Sequence, residues 1–272
     1  MVVSNEDRLF TGSIPQLYDD YMVPLIFEPY AADIASRVAM FQPRSVLEIA
    51  AGTGVVTRYL ANALAPDVRI VATDLNQAMI NRAVAVGTSR DVEWRQADAM
   101  QLPFLDESFD VVVCQFGAMF FPDKPKAFSE AKRVLRVGGA FIFNVWDTID
   151  QNEFAAAVTF SLEQMFPDDP PRFMVRTPHG YSDTAAIAQH LVEGGFDQRP
   201  VITTVTAKSS AASANIPAIA YCQGTVLRSE IESRDSSRLV EATNAAVAEI
   251  GKRFGHGAVE GKIQAHIIVA KR

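Results

Sequence analysis

The sequence predicts an α/β protein with a doubly wound parallel sheet. Three observations carry that prediction. Between residues 45 and 145 short apolar runs alternate with segments of helical period. The runs are apolar and β-branched on both faces, as strands covered by helices on both sides must be. The first run ends in a turn of small residues, "AAGTG", that opens directly into a helical pattern. Right-handed crossovers between such strands wind the sheet outward in two directions.

Each element follows in order. Ahead of the sheet, Pro29 suits a first helical position, Ile34, Val38 and Phe41 recur on one face, and Pro43 stops the run. "SVLEIA" reads as a strand and "VVTRYLANAL" as a helix; "DVRIVATD" and "NQAMINRAVAV" repeat the pair. "VEWRQA" and "DVVVCQ" are further strands, "PKAFSEAKRVLR" is a helix closed by Gly138 and Gly139, and "AFIFNV" is a fifth strand. Phe154, Val158, Leu162 and Met165 mark another helix. The stretch holding Pro167, Pro170, Pro171 and Pro178 reads as a stiff, irregular loop. "DTAAIAQHLVEGGF" is a short helix ending at Gly194 or Gly195, and "PVITTVTA" and "GKIQAHIIVAKR" are the last strands. Some fifty residues of helical character separate them, with Leu239, Val240, Val247, Ile250 and Phe254 as an apolar face. That is too long for a hairpin loop and is expected to form a lid over the sheet edge. The expected organisation is an N-terminal helical cap over 1–43, a core over 44–208 and 260–272, and a helical lid over 209–259.

At 272 residues, 49% hydrophobic and 21% charged, the chain has the composition of an ordinary globular protein. A net charge of −7, with no basic stripe, speaks against a nucleic-acid partner. Cys114 and Cys222 make neither a metal-binding spacing nor a disulfide framework, so no metal is expected and a reducing, cytoplasmic setting is. "MVVSNEDRLF" carries charge where a signal peptide needs an apolar core, and no run is long enough to span a bilayer, so no membrane insertion is expected.

In a parallel sheet, ligands bind beyond the carboxyl ends of the strands. Small residues in the first turn let the backbone approach a ligand, and the next helix offers free N–H groups. A tight turn that merely needs glycine would look the same. Asp74, twenty positions after Gly54 and at the end of the second strand, can accept from ribose hydroxyls, which points to a nucleoside. It can equally start the helix of "DLNQAM", a role Asn76 can also fill. A dinucleotide fits less well: Thr57 stands where the third glycine belongs, and Glu48 would face the pyrophosphate. A ligand carrying an amine and a sulfonium suits Glu48 better.

"VLEIAAGTG", "VATDLNQAM", "QADAMQLPFLDESFDVVVCQF" and "LRVGGAFIFNVW" resemble successive motifs of class I S-adenosylmethionine-dependent methyltransferases. The spacing from Asp98 to Asp110 is similar to that of the ubiquinone/menaquinone-biosynthesis branch. The resemblance covers residues 46 to 146. It implies a Rossmann-like seven-stranded sheet of order 3-2-1-4-5-7-6 with strand seven antiparallel, and S-adenosylmethionine as cofactor. By the same resemblance Glu48, Ala50, Gly52 and Gly54 form the loop for the methionine side. Ala50 departs from the glycine many members have there, and is expected to hold a negative φ. Asp74 takes the ribose, Leu75 and Met79 pack on the adenine, and Asp98, Ala99 and Met100 lie beside its amino group. Gln115 and Phe116 line the cleft toward the acceptor, with Tyr18, Tyr21 and Phe27 as weaker N-terminal candidates.

Methyl transfer from a sulfonium is an in-line displacement that needs positioning and exclusion of water more than a dedicated catalytic group. A base is required only where the acceptor loses a proton. Among four histidines, His179 in "RTPHGY" is the candidate; His190 sits in a helix, His256 in a turn and His266 in the last strand. Trp146 and Tyr181 are candidates for the acceptor pocket or for the core. The expected activity is methylation of a small-molecule acceptor, with an NAD(P)-dependent oxidoreductase and a noncatalytic S-adenosylmethionine-binding regulator as alternatives. A DNA or RNA methylase is disfavoured, since "CQFG" replaces the Asn/Asp-Pro-Pro-aromatic tetrad and Cys114 follows Val113 rather than proline.

Overall fold

The computed structural model describes residue 10 and residues 12–272. Nearly all of "MVVSNEDRLF", and with it the start of the expected N-terminal cap, lies outside the described residues. From Ile14 the chain is one helical run: α1 (Ile14–Leu17), a π-wound stretch (Tyr18–Phe27) with Pro24 inside it, and α2 (Glu28–Met40) with Pro29 in its first turn. Then follow β1 (Ser45–Glu48), α3 (Val55–Ala63), β2 (Arg69–Asp74), α4 (Gln77–Val86), β3 (Glu93–Gln96), β4 (Phe109–Gln115), α5 (Lys124–Val134) and β5 (Leu135–Trp146). The remainder comprises α6 (Glu153–Met165), α7 (Phe173–Arg176), α8 (Thr184–Glu193), β6 (Val201–Ala211), α9 (Asn215–Gln223), α10 (Leu227–Arg234), α11 (Leu239–Phe254) and β7 (Val259–Lys271).

The sheet has the order β3-β2-β1-β4-β5-β7-β6. Strands β1 to β5 pair in parallel, and β7 runs antiparallel to both its neighbours. The fold is therefore the Rossmann-like arrangement the motifs implied. Register sets the site: Glu48 lies opposite Ala72 and Val113, Asp74 opposite Gln96, and Gln115 opposite Asn144. The carboxyl ends of five strands thus finish along one edge. β1 is buried throughout and β4 almost so, as a strand between two helical layers requires. On one face Phe141 and Phe143, two residues apart, pack against Phe128 of α5. α2 covers β4 and β5 and also packs on α3.

Four expectations change. Gly138 and Gly139 do not close the helix before them: α5 ends at Val134, and the glycines form an irregularity where pairing shifts from Phe109–Leu135 to Val111–Ala140. A side chain on Gly139 would strike the Asp110 carbonyl oxygen, so close strand approach, rather than capping, demands glycine. Strand six runs on to Ala211 and pairs with Val259, so the helical insertion occupies residues 212–258. It packs on α6 and on the N-terminal helical run. Val240 is 67% exposed, because the buried stripe of α11 follows Ala242, Thr243, Ala246 and Ile250 at i+3/i+4 spacing instead. The proline-rich loop contains one regular turn, α7.

Candidate functional site

Two cavities meet at the carboxyl edge of the sheet. The first, about 770 Å³, lies over the ends of β1, β2 and β4 and is reached by Gly52, Asp74, Leu75, Met79, Asp98 and Gln115. The second, about 540 Å³, lies between the N-terminal helical run, the end of β5, α7 and α9, with walls that include Phe27, Phe116, Trp146, Phe173 and Tyr221. Phe10, Tyr18, Phe116 and Phe120 border both.

The cleft is built by the loop after β1. Gly52 has φ +58, and its N–H donates to Asp74 Oδ2 at 2.8 Å. Asp74 Oδ1 accepts from the Asn76 N–H at 2.8 Å, so this carboxylate ties the first two strand-ends together. Asn76 takes the N-cap position of α4 without a side-chain capping bond. Burial raises the Asp74 pKa while the N–H donors of Asn76 and Gly52 oppose it. Each carboxylate oxygen carries two lone pairs, so Asp74 keeps acceptor capacity for ribose hydroxyls.

Ala50 corrects an expectation: it sits at φ +54, left-handed, not at negative φ. Its methyl packs directly on Gly117. A β-carbon on Gly117 would lie 2.5 Å from the Ala50 methyl and 2.7 Å from Cys114 Sγ. The Ala50 methyl therefore fills space that a side chain at 117 would need. Phe116 is left-handed as well, at φ +50. Two non-glycine residues in this region at facing strand-ends are backbone strain held in place by packing, a pattern typical of functional sites.

Other expected residues separate into those the cleft collects and those it does not. Leu75, Met79, Asp98, Ala99 and Gln115 line it. Gln115 donates from Nε2 to the Phe27 carbonyl at 3.3 Å, while its Oε1 is buried with no partner among the described residues. Asp98 accepts from the Met100 N–H at 2.9 Å, but Met100 itself packs beside the cleft. Gly54, at φ +82, faces Trp94, whose ring would lie 2.7 Å from an added β-carbon; here the tight-turn role is the one observed. Glu48 lies under the loop rather than in the cleft. It is buried, accepts from the Thr57 hydroxyl at 2.5 Å, and burial pushes its pKa up to about 8.

In the second cavity Phe116 and Trp146 stack at 3.7 Å between centroids and 6° between planes. Tyr18 lies across the junction from them. Burial, with the nearby charges of Asp74 and Asp19, raises its phenol pKa well above the ordinary value. Tyr21 packs at the side and Tyr181 lies elsewhere: its hydroxyl meets His190 Nδ1 at 2.9 Å, and Lys124 stands 4.7 Å over its ring. His179 does line the cavity, buried, with Nδ1 2.9 Å from the Asp147 carbonyl. The sequence reading missed Phe10, Phe120 and Tyr221. The run "FGAMFF" after the fourth strand was an available signal for Phe120; Tyr221 had none.

The residues fit the expected cofactor. A glycine-lined loop, the Asp74 carboxylate with spare acceptor capacity, apolar walls from Leu75 and Met79 and an orphaned buried acceptor at Gln115 are the groups a nucleoside with a cationic tail would need. This sheet order with this cleft defines the class I methyltransferase fold. Residues 47–143 match the family model described as Methyltransferase domain. Over 102 residues the chain is 39% identical to the ubiquinone/menaquinone biosynthesis C-methyltransferase UbiE of Hahella chejuensis, covering 36% of this chain and 41% of that one. It is 30% identical over 166 residues to the UbiE of Pseudomonas savastanoi pv. phaseolicola, covering 56% and 65%. The matches thus span about two-fifths and two-thirds of these curated relatives. Among solved structures, a SAM-dependent methyltransferase from Thermotoga maritima superposes with TM-score 0.51 at 16% identity, over 95% of this chain and 98% of that one. The chain carries a methyltransferase domain of the class I S-adenosylmethionine-dependent type, resembling the ubiquinone/menaquinone branch.

Proposed function

We propose that this chain transfers a methyl group from S-adenosylmethionine, bound in the cleft, to a small apolar acceptor bound in the aromatic chamber. The observation that carries this reading is the meeting of the two cavities at Tyr18, Phe116 and Phe120. When bound, the cofactor supplies a methyl on a positively charged sulfur, so the leaving group needs no activation. Asp74 accepts the ribose hydroxyls, Gln115 Oε1 accepts from the amino group, and Leu75 and Met79 flank the base. Phe116, Trp146 and Tyr18 orient the acceptor and keep water out, the two tasks such a displacement asks of a protein. The N-terminal helical run and the 212–258 insertion act as walls added to the core, the latter through Tyr221 and Thr225. A chamber of this lining suits flat, largely apolar acceptors, in keeping with the quinone pathway in the relatives' names. The cytoplasm is the expected setting. Among the described residues no helix is long and apolar enough to cross a membrane.

Titration calorimetry with S-adenosylhomocysteine and with NAD(P) tests the reading. Binding of the former with indifference to the latter is expected; the opposite result makes the cleft a dinucleotide site. Label transfer from methyl-labelled cofactor to phenols, quinols or amines then separates an enzyme from a binding protein.

A further inference from the structure

Beside the hydroxyls of Tyr18 and Tyr221, the polar groups that line the chamber among the described residues are mostly tied up in hydrogen bonds. Asn152 is saturated: its Nδ2 donates to the carbonyls of Asp147, Thr148 and Gln264, and its Oδ1 accepts from the Gln264 N–H. The Thr225 hydroxyl donates to the Tyr221 carbonyl and accepts from the Leu227 N–H. His179 differs. Its Nδ1 faces a backbone carbonyl, which can only accept, so Nδ1 carries the proton and the neutral ring keeps its lone pair on Nε2. Nε2 has no hydrogen-bond partner among the described residues. The ring is held from several sides: the His179 N–H donates to the Met174 carbonyl, Gly180 turns the chain where a side chain would strike Arg176, and Trp146 lies 6.1 Å away.

Building on the methyl-transfer reading, we propose that His179 is the general base of the chamber, and that the acceptor is a flat, uncharged apolar molecule presenting one hydroxyl to Nε2. The hydroxyl proton passes to Nε2 while an oxygen electron pair forms the bond to the methyl carbon. The carbon–sulfur bond breaks with its electron pair going to sulfur, leaving a neutral thioether and an imidazolium that returns its proton to solvent. Burial holds the imidazole pKa down to about 4, against the opposing influence of Asp147, so the ring is neutral at physiological pH. A weak base suffices, because the hydroxyl becomes far more acidic as its oxygen acquires the methyl group. Among the described residues no charged side chain lines the chamber apart from what His179 acquires in this step, which suits an uncharged acceptor.

The test uses 2-naphthol and its methyl ether as probes on the whole chain. Fluorescence titration of wild type is expected to show naphthol binding several-fold tighter than the ether. His179→Asn, whose amide can still donate to the Asp147 carbonyl, is expected to erase that preference. His179→Leu, which offers no acceptor, serves as a second variant should the first not fold. With labelled cofactor, any transfer to naphthol is expected to fall at least hundredfold in kcat, with KM for naphthol rising only by the several-fold of the lost hydrogen bond and S-adenosylhomocysteine affinity within threefold of wild type. A naphthol preference that survives in the variant, no preference in wild type, or transfer undiminished by the substitution overturns the proposal. Failure of S-adenosylhomocysteine to bind wild type overturns the methyl-transfer reading instead, while the naphthol comparison still reports on His179.

Discussion

Glu48 offers the sharpest quantitative test of the site's electrostatics. It ends β1 with its carboxyl fully buried, and its pKa is raised from the ordinary 4.5 to about 8. Burial is the main cause; the Thr57 hydrogen bond and Arg58 oppose it and Asp74 adds to it. Below pH 4.5 the group is protonated in folded and unfolded chains alike, and its contribution to stability is fully present. As pH rises from 4.5 toward 8 the unfolded chain ionises while the folded one keeps its proton, so stability drains away by up to about 1.4 kcal/mol per pH unit. Above 8 both forms are ionised and the slope vanishes. Between pH 5.5 and 7.5 this one group should therefore cost about 2 kcal/mol, once relaxation around the charge is allowed for. Glu48→Gln keeps an acceptor for the Thr57 hydroxyl and nearly the same volume, and it does not titrate. Urea unfolding of both proteins at the two pH values measures the difference. The variant should gain about 2 kcal/mol on wild type across the interval. Parallel pH dependence of the two, within about 0.5 kcal/mol, would refute the claim that this carboxyl is buried protonated.

Gly117→Ala should destabilise by about 1–3 kcal/mol through its clash with the Ala50 methyl and Cys114. Adding Ala50→Gly should recover part of that loss in thermal melts, and purely additive effects would separate the two positions. Asp74→Ala should weaken S-adenosylhomocysteine by about 1–3 kcal/mol in calorimetry, since it also frees the Gly52 N–H; wild-type affinity would place the ribose elsewhere. Arg82 binds Asp19 at 2.9 Å and Asp20 at 2.7 Å, and Asp19 also lies 3.5 Å from Arg58. Arg82→Ala should therefore speed proteolysis within the N-terminal helical run several-fold at low salt and little at high salt, because partly exposed pairs are screened. Equal cleavage rates would show that apolar packing alone holds that run.

The sheet was legible in the sequence because its central strands β1, β2, β4 and β5 are apolar on both faces and the turns between them carry glycine, alanine or aspartate. Asp74 and Gln115 were legible as cleft residues because they stand at strand-ends, which register brings together, and Met79 because it lies one helical turn beyond Leu75. What escaped was long-range. Gly117 is required by the Ala50 methyl, sixty-seven positions away, and the duty of Gly54 depends on Trp94 from β3. Nothing local distinguishes Tyr221 from any helical tyrosine until the insertion folds back on the N-terminal run. Gly138 and Gly139 read as a helix end because helix ends and strand irregularities ask the same conformational freedom of a residue.

The π-wound stretch at Tyr18–Phe27 has an evolutionary corollary. Such windings accommodate one surplus residue in a helix, and here Pro24 lacks the N–H an ordinary winding would require of it. Tyr18, Met22 and Ile26, every fourth residue, all point into one chamber from it. Deleting a single residue from this stretch would let it relax to the commoner pitch, leaving the turns on either side in nearly the same orientation while re-spacing the side chains along the chamber wall. Close homologues that differ by one residue in this helix are thus where altered acceptor choice should first be sought.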